Sequence, residues 1–448
     1  MNYYKKIVCG SPGVIVFASL CLVIALGSAL LSLSIAQREP ILPIDVIFTA
    51  TSAVCVTGLF TISLGQFTTF GHFIIMILMQ IGGIGLITMS LMFISLFVKK
   101  FGLSTHLMVG YLLDLESWQN SKHLLFFIAL ITILSELIGG LCIAFVLLSY
   151  EAYPAAMFHG IFHSIASFCN VGIELPGELY ATQYKTDYLV LGITMLLSFI
   201  GGLGFITWYE IWAWIKALHR GTRFTFSLHS KIILYSTSIL LPTSALLIWL
   251  LERNHAFFDV NFPLSIVYAF FESVTSKSTG FALIDLNKFH FSSILVMMVL
   301  AFVGSSPAST GSGVKITAFA LLIATVRSAL TGKAMVEIWG RRIANDQIFK
   351  SVAICFLGIF CIVFLTFILL ILEPHQPFAA IFFESWSALT NLGSSFGIKQ
   401  MAPLSKIVVM LSMMIGRIGS FTLILSLKMV RGAKDSADFI YPEERVML

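Results

Sequence analysis

Four short stretches of this chain end alike: Cys55-Val56-Thr57-Gly58, Cys169-Asn170-Val171-Gly172, Lys277-Ser278-Thr279-Gly280 and Thr390-Asn391-Leu392-Gly393. Only the glycine is common to all four, so any chemistry they share is carried by the main chain. Backbone carbonyl oxygens can replace the hydration shell of a cation without help from side chains. A glycine at each bend permits backbone conformations that other residues resist. One such bend reads as a helix cap. Four in register, gathered around one axis, predict a carbonyl-lined cation site at Gly58, Gly172, Gly280 and Gly393.

A second stretch interrupts an apolar run: Gly304-Ser305-Ser306-Pro307-Ala308-Ser309-Thr310-Gly311-Ser312-Gly313. Proline lacks the N–H and glycine disfavours helix, so this segment is not helical throughout. It reads in two ways. Either an unwound loop obstructs a passage beneath the bends until it moves, or a kink is tolerated because its hydroxyls bond the freed carbonyls; its length favours the first. A phosphate loop fits worse, because Val314 separates Gly313 from Lys315 and the Gly-Lys-Ser/Thr step is missing. Lys315 and Arg417 are charges inside apolar runs and belong in the protein interior or on a water path. For Arg417 three roles stand open: an electrostatic barrier, a donor to carbonyls of the 304–313 loop, or the ion-pair partner of Glu136. Lys315 is ambiguous in the same way.

Glu272 and Glu384 precede their bend glycines by 8 and 9 residues, a little over two helical turns, and Asp45 lies near the start of the first bend's helix. They read as attractors of cations at an outer mouth or, more readily, as buried supports behind the bends. His159 and His163 have metal-compatible spacing but no HExxH motif or carboxylate partner, so packing is the better reading. No Ser-His-Asp, Cys-His or paired-carboxylate set stands out, which argues against an enzyme. The seven cysteines lack a CxxC pair and fall mostly in apolar runs, as buried small hydrophobes do.

The elements that must position the bends follow from what precedes them. Each bend glycine lies 15 to 18 residues after a proline, Pro43, Pro154, Pro263 or Pro377. Proline suits the first turn of a helix, where its missing N–H has no partner to lose. Each unit is therefore a short helix pointing its C-terminus, the negative end of its dipole, at the bend. Successive glycines are 114, 108 and 113 residues apart, which makes the chain four copies of one unit.

With 58% hydrophobic and 11% charged residues and a mean hydropathy of +0.95, the chain reads as a multi-pass membrane protein. The excess of basic residues is small and forms no block, so nucleic-acid binding is not indicated. Long apolar runs are expected at 13–35 and 71–98, 123–149 and 187–215, 229–251 and 290–328, and 350–372 and 403–430. The proline-to-glycine segments are too short to cross about 30 Å of hydrocarbon at about 1.5 Å per residue. They must dip in and return, which is tolerated only where protein or water surrounds them. Of the 27 basic residues, 18 fall on the side of the termini, so the termini are expected in the cytoplasm. Lys5 and Lys6 precede a run longer than a signal-peptide core; Ser34-Ile35-Ala36 is a weak cleavage site, and an uncleaved first span is expected.

The four bends, together with Gln80-Ile81-Gly82-Gly83-Ile84-Gly85, Ile200-Gly201-Gly202-Leu203-Gly204, the stretch from Gly304 to Lys315, and Ile415-Gly416-Arg417-Ile418-Gly419, resemble the Ktr/Trk/HKT potassium transporter family. Within it the KtrB-type bacterial pore subunits are the most similar, and Phe439-Ile440-Tyr441-Pro442-Glu443-Glu444 adds to that likeness. The departures are small: Ser305, Ala308 and Ser312 stand where relatives often carry glycine, and Ser420 replaces a frequent proline. The resemblance implies an all-α membrane protein of four pseudo-symmetric span–pore-helix–span units, eight transmembrane spans around one central pore. The units would cover residues 1–102, 103–222, 223–335 and 336–448. It implies a selectivity filter at the four bends, with potassium at Gly58, Gly172, Gly280 and Gly393, and an intramembrane gate formed by the 304–313 loop with Lys315 and Arg417. Glycine at all four filter positions goes with potassium selectivity in that family, and serine at the first with sodium permeation in some plant members, so Gly58 implies potassium, with a sodium-permeable or sodium-coupled transporter as the alternative. No cofactor is expected in this chain beyond the transported ion and sodium as an activator. A homodimer in a bacterial plasma membrane is implied, on a cytoplasmic ring of KtrA-like (RCK) subunits that carry the nucleotide.

Overall fold

The computed structural model describes residues 12–85, 121–175, 186–333, 335–397 and 401–419. The expected continuations of two apolar runs to 98 and 430, the flank at Lys5 and Lys6, Ser420, and the 439–444 stretch lie outside these residues.

The first unit contains α1 (Pro12–Leu31), the short α2 (Pro43–Cys55) and α3 (Thr69–Ile84). The second contains α4 (Ser121–Leu147), α5 (Tyr153–Phe168), α6 (Tyr188–Gly202) and α7 (Phe205–His219). The third has α8 (Leu228–Glu252), α9 (Phe262–Ser276), α10 (Phe291–Val303) and α11 (Ile316–Leu330). The fourth has α12 (Asn345–Leu372), α13 (Phe378–Thr390) and α14 (Pro403–Ile418). The short helices begin where the prolines stand: Pro43, Pro154 and Pro263 occupy the first turn, and Pro377 is the N-cap of α13.

Each short helix packs against the two helices that flank it in its own unit and against one helix of another unit. For α2 the outside partner is α14, for α5 it is α3, for α9 it is α6, and for α13 it is α10. Every unit thus lends its post-bend helix to the next, and the last lends to the first. The packing is a closed cycle, which brings the four bends to one place.

The short helices lie at the centre. In α2 nearly every side chain from Val46 to Cys55 is buried, and its two threonine hydroxyls are satisfied within the helix, Thr49 donating to the Asp45 carbonyl and Thr51 to the Ile47 carbonyl, both at 2.8 Å. The long first helices face outward with bare hydrocarbon, as Phe356, Phe360, Phe364 and Phe367 on α12 show. Such a surface fits lipid rather than water.

Two expectations change. Among the described residues three helices are long and apolar enough to cross a membrane: His123–Leu147, Leu228–Glu252 and Asn345–Leu372. The run expected as one span at 187–215 is instead α6 and α7, bent by 99°. The break falls at Gly204, whose φ of 93° is a conformation that ends a helix. The run at 290–328 is likewise broken between Val303 and Ile316. The regular structure of the described chain is helical, as expected, apart from β1 (Glu337–Ile338) and β2 (Arg341–Arg342), which pair antiparallel in a small hairpin before α12. Of the six described cysteines Cys55, Cys169 and Cys355 are buried, but Cys142 is exposed on an outward face.

Candidate functional site

The four bends meet as a ring. A Cβ added to Gly58 would run into the Val171 carbonyl oxygen, one at Gly172 into that of Thr279, one at Gly280 into that of Leu392, and one at Gly393 into that of Thr57. Each glycine therefore lies against the carbonyl of the residue just before the next unit's glycine, and the fourth closes on the first. All four have positive φ, 87°, 70°, 76° and 93° in order. Both the space and the conformation exclude a side chain there.

The turn that delivers each glycine is built in two ways. Val56, Asn170 and Asn391 are left-handed, with φ of 60°, 58° and 55°. That conformation turns the next N–H back into the helix: Thr57 donates to Ser52, Val171 to Ala166 and Leu392 to Ser387, each at 2.9 Å. In the third unit Ser278 has no positive φ, and Thr279 and Gly280 both donate to the Thr275 carbonyl, at 2.7 and 2.9 Å. Lys277 is buried behind this bend, beside a cavity of about 10 Å³ that Asn170, Ser198 and Ser305 also line.

Side chains tie the ring in pairs. Asn391 Nδ2 donates to Thr57 Oγ1 at 2.7 Å and to the Cys55 carbonyl at 3.1 Å. Thr279 Oγ1 donates to Asn170 Oδ1 at 2.6 Å, and Asn170 Nδ2 donates to Thr310 Oγ1 at 2.7 Å. The second unit thus grips the third, and the fourth grips the first. Behind the ring, Glu384 Oε1 accepts from the Phe396 N–H at 2.6 Å and from Ser395 Oγ at 2.5 Å, and Glu272 accepts from the Leu283 N–H at 3.1 Å. Both carboxylates are buried supports of the segments leaving the bends. Asp45 pairs with Lys406 Nζ of α14 at 2.6 Å, a buried clasp between the first and fourth units that the sequence did not suggest.

Beneath the ring the chain from Gly304 to Lys315 is unwound and folded back on itself. Ser305 N–H donates to the Ser312 carbonyl at 3.0 Å and Val314 N–H to the Phe302 carbonyl at 3.0 Å. The loop leans on the second unit: Ser306 and Thr310 N–H groups donate to the Gly202 and Gly201 carbonyls, both at 3.1 Å, and Phe205 N–H donates to the Ala308 carbonyl at 2.8 Å. Pro307 sits within it, and Ser309 Oγ closes a turn on the Ser306 carbonyl at 2.6 Å. Gly311 lies against Ser278 and Ser305, and Gly313 against Gly304, where side chains would collide. The Ser312 N–H reaches Ser278 Oγ at 3.1 Å, so the loop touches the third bend directly.

Arg417 reaches the loop from the fourth unit. Its Nη1 donates to the Thr310 carbonyl at 2.7 Å and to Ser312 Oγ at 3.2 Å; its Nη2 donates to the Gly82 carbonyl and, at 3.2 Å, to that of Gly83. The ion-pair role with Glu136 is not what the structure has. Glu136 accepts instead from Gln80 Nε2 at 2.9 Å. His159 and His163 do not converge either: His159 contacts Glu151 at 2.7 Å, a carboxylate the sequence reading overlooked, and His163 contacts Thr194 at 2.7 Å.

Lys315 reveals a repeat that sequence reasoning missed. The helix breaks at Gly85, Gly204 and Gly419 have φ, ψ of 85°, 129°, of 93°, 133° and of 86°, 125°; Lys315 has 82°, 129°. The same turn occurs in all four units, with lysine in place of glycine in the third. Its Nζ donates to the Gly311 carbonyl at 2.7 Å. The signal was present in the Gly-Gly-Ile-Gly, Gly-Gly-Leu-Gly and Gly-Arg-Ile-Gly stretches, whose last residue aligns with Lys315. The earlier glycines serve close approach: a Cβ at Gly82, Gly201 or Gly416 would strike the Val54, Phe168 or Leu389 carbonyl at the end of a short helix.

The family model described as TrkH: Cation transport protein matches residues 13–434. The chain is 30% identical over 446 residues to the Potassium/sodium uptake protein NtpJ of Enterococcus hirae, covering 98% of this chain and 97% of that one. It is 31% identical over 431 residues to the Ktr system potassium uptake protein B of Bacillus subtilis, covering 95% and 94%. The crystal structure of the potassium transporter TrkH from Vibrio parahaemolyticus aligns with a TM-score of 0.72 at 19% identity, over 92% of this chain and 84% of that one. At that identity the likeness is one of fold.

Proposed function

The chain belongs to the TrkH family of cation transport proteins, which are transporters and not enzymes, and on that premise we propose that it takes up potassium through the ring of bends. The observation that carries this is the closed cycle of glycines and carbonyls. A ring of carbonyl dipoles from one rigid frame replaces ion hydration at little reorganisation cost. Four short helices aim their negative ends at it. The relatives named for potassium uptake support the choice of ion. Inward movement would draw on the membrane potential, about 2.3 kcal/mol per charge per 100 mV.

The units are residues 1–102, 103–222, 223–335 and 336–448, with eight crossings and cytoplasmic termini. The residues from Gly304 to Gly313, with Lys315 and Arg417, act as the gate. Their location directly under the third bend supports this, and a cavity of about 190 Å³ beside Ser312, Lys315 and Arg417 gives the loop room to move. The working assembly is a homodimer on a cytoplasmic ring of nucleotide-binding subunits; a relative named as one protein of a Ktr system supports the need for a partner. Sodium permeation or activation is the second reading, favoured by the relative named for potassium and sodium uptake. Uptake in a potassium-transport-deficient bacterium, with and without a ring subunit and with the two ions varied separately, tests all of this. Growth at low potassium is expected; sodium uptake without potassium uptake would overturn the choice of ion.

A further inference from the structure

Glu252 ends α8 and is fully buried. Its Oε1 accepts from the His290 N–H at 2.9 Å and from the Ser293 hydroxyl; its Oε2 faces His255 Nδ1 at 3.2 Å and the Ala256 N–H at 3.4 Å. The exposed rings of His255 and His290 stack with centroids 3.9 Å apart at 28°. One ligand atom from each of the three residues lies within 4.8 Å of the others.

From this geometry we propose that Glu252, His255 and His290 bind a first-row transition-metal dication, with Zn²⁺ the best fit. Two imidazoles and one carboxylate are a Zn²⁺ donor set that leaves a fourth position for water. Ca²⁺ and Mg²⁺ prefer oxygen donors and are not matched by two nitrogens. Ligands about 2.1 Å from a tetrahedral centre stand about 3.4 Å apart. The Glu252–His255 spacing of 3.2 Å is close to that value, and the exposed His290 ring needs only a small swing to complete the set. The carboxylate is fixed by the His290 N–H and Ser293 hydroxyl, as the outer partners of a ligating group do. A metal entering at Oε2 takes the place of the proton shared with His255.

The three residues come from the last residue of α8, the turn that follows it and the N-cap of α10. A metal there pins α8 to the start of α10, the helix whose far end is the 304–313 loop. Nothing in the transport path uses these side chains, so the site is separate from the ring and the loop.

The test uses the full chain without an affinity tag, purified in detergent and stripped of metal, then titrated with Zn²⁺ and, separately, Co²⁺. Because the chain has ten histidines and seven cysteines, the readout is the difference from a His255→Ala, His290→Ala double variant. One additional equivalent of Zn²⁺ in the unaltered chain, with a tetrahedral Co²⁺ spectrum that the double variant lacks, is expected. Each single variant should weaken this binding by about tenfold or more. His255→Ala takes a partner from the buried Glu252, so the variants should unfold slightly below the original without metal, and added Zn²⁺ should raise the unfolding temperature of the unaltered chain alone. Equal metal uptake by chain and double variant, or no uptake by the chain at metal on the order of 1 mM, overturns the proposal.

Discussion

The ring and the loop beneath it are held by different means. The ring is made of backbone against backbone, repeated around the four units, with no room for one added carbon. The loop belongs to one unit and is held largely by groups lent to it: two carbonyls of the second unit, a hydroxyl of the third bend and the guanidinium of the fourth unit. Each such bond is worth about 1 kcal/mol net, somewhat more where a charge takes part. A region fixed by close packing has one arrangement; a region fixed by exchangeable bonds can have two. The contrast fits constancy in what the units share and, with the loop as the proposed gate, movement in what only one of them has.

The severest way to break this contrast is to put a side chain in the ring. Gly280→Ala forces a Cβ onto the Leu392 carbonyl at positive φ, an overpacking of about 3 kcal/mol that displaces that carbonyl, and most of the flux should be lost. Isotope uptake should show that loss, and Gly58→Ser should lower the preference for potassium over sodium. Unchanged uptake ratios would remove the ring from the ion path. Next in size, Arg417→Ala frees the Thr310, Gly82 and Gly83 carbonyls at once. Flux without the ring partner should rise several-fold while the amount of folded protein changes little; loss of folded protein alone would make Arg417 purely structural. Arg417→Lys should fall between, because an ammonium cannot span both pairs of acceptors as a planar fork does.

The two asparagines sharpen the comparison further. Asn391 bonds only within and behind the ring, whereas Asn170 bonds the ring through Thr279 and the loop through Thr310. Asn391→Ala should alter selectivity alone, and Asn170→Ala should alter selectivity and partner dependence together, both read by flux in the same cells. The smallest effect is at Lys315. Alanine normally stabilises relative to glycine, but here φ is 82°. Lys315→Gly should therefore be more stable than Lys315→Ala by about 1–2 kcal/mol, seen as a higher unfolding temperature; the reverse order would mean that the turn is not kept.

Much of this was legible in the chain, for identifiable reasons. Proline and glycine constrain the backbone itself, so Pro43 to Gly58 and its three counterparts announced short helices with bends, and Gly304 to Gly313 announced an unwound stretch. Hydropathy registers length but not direction, which is why 187–215 looked like one span and proved to bend by 99°. A carboxylate such as Glu136 is visible in a sequence as a partner for Arg417, whereas its actual acceptors are mostly main-chain carbonyls, which every residue has. Asn170 with Thr279, and Asn391 with Thr57, were out of reach because neither partner is close in sequence. The same holds for Glu252 and His290.

One consequence lies in how the molecule is made. Gly58 meets the second unit, but the circle closes only when Gly393 comes to rest against Thr57. A nascent chain inserted through its third unit holds three quarters of a ring and no complete passage. With the ring as the proposed ion path, synthesis withholds the hole until nearly all of the protein that surrounds it is in place.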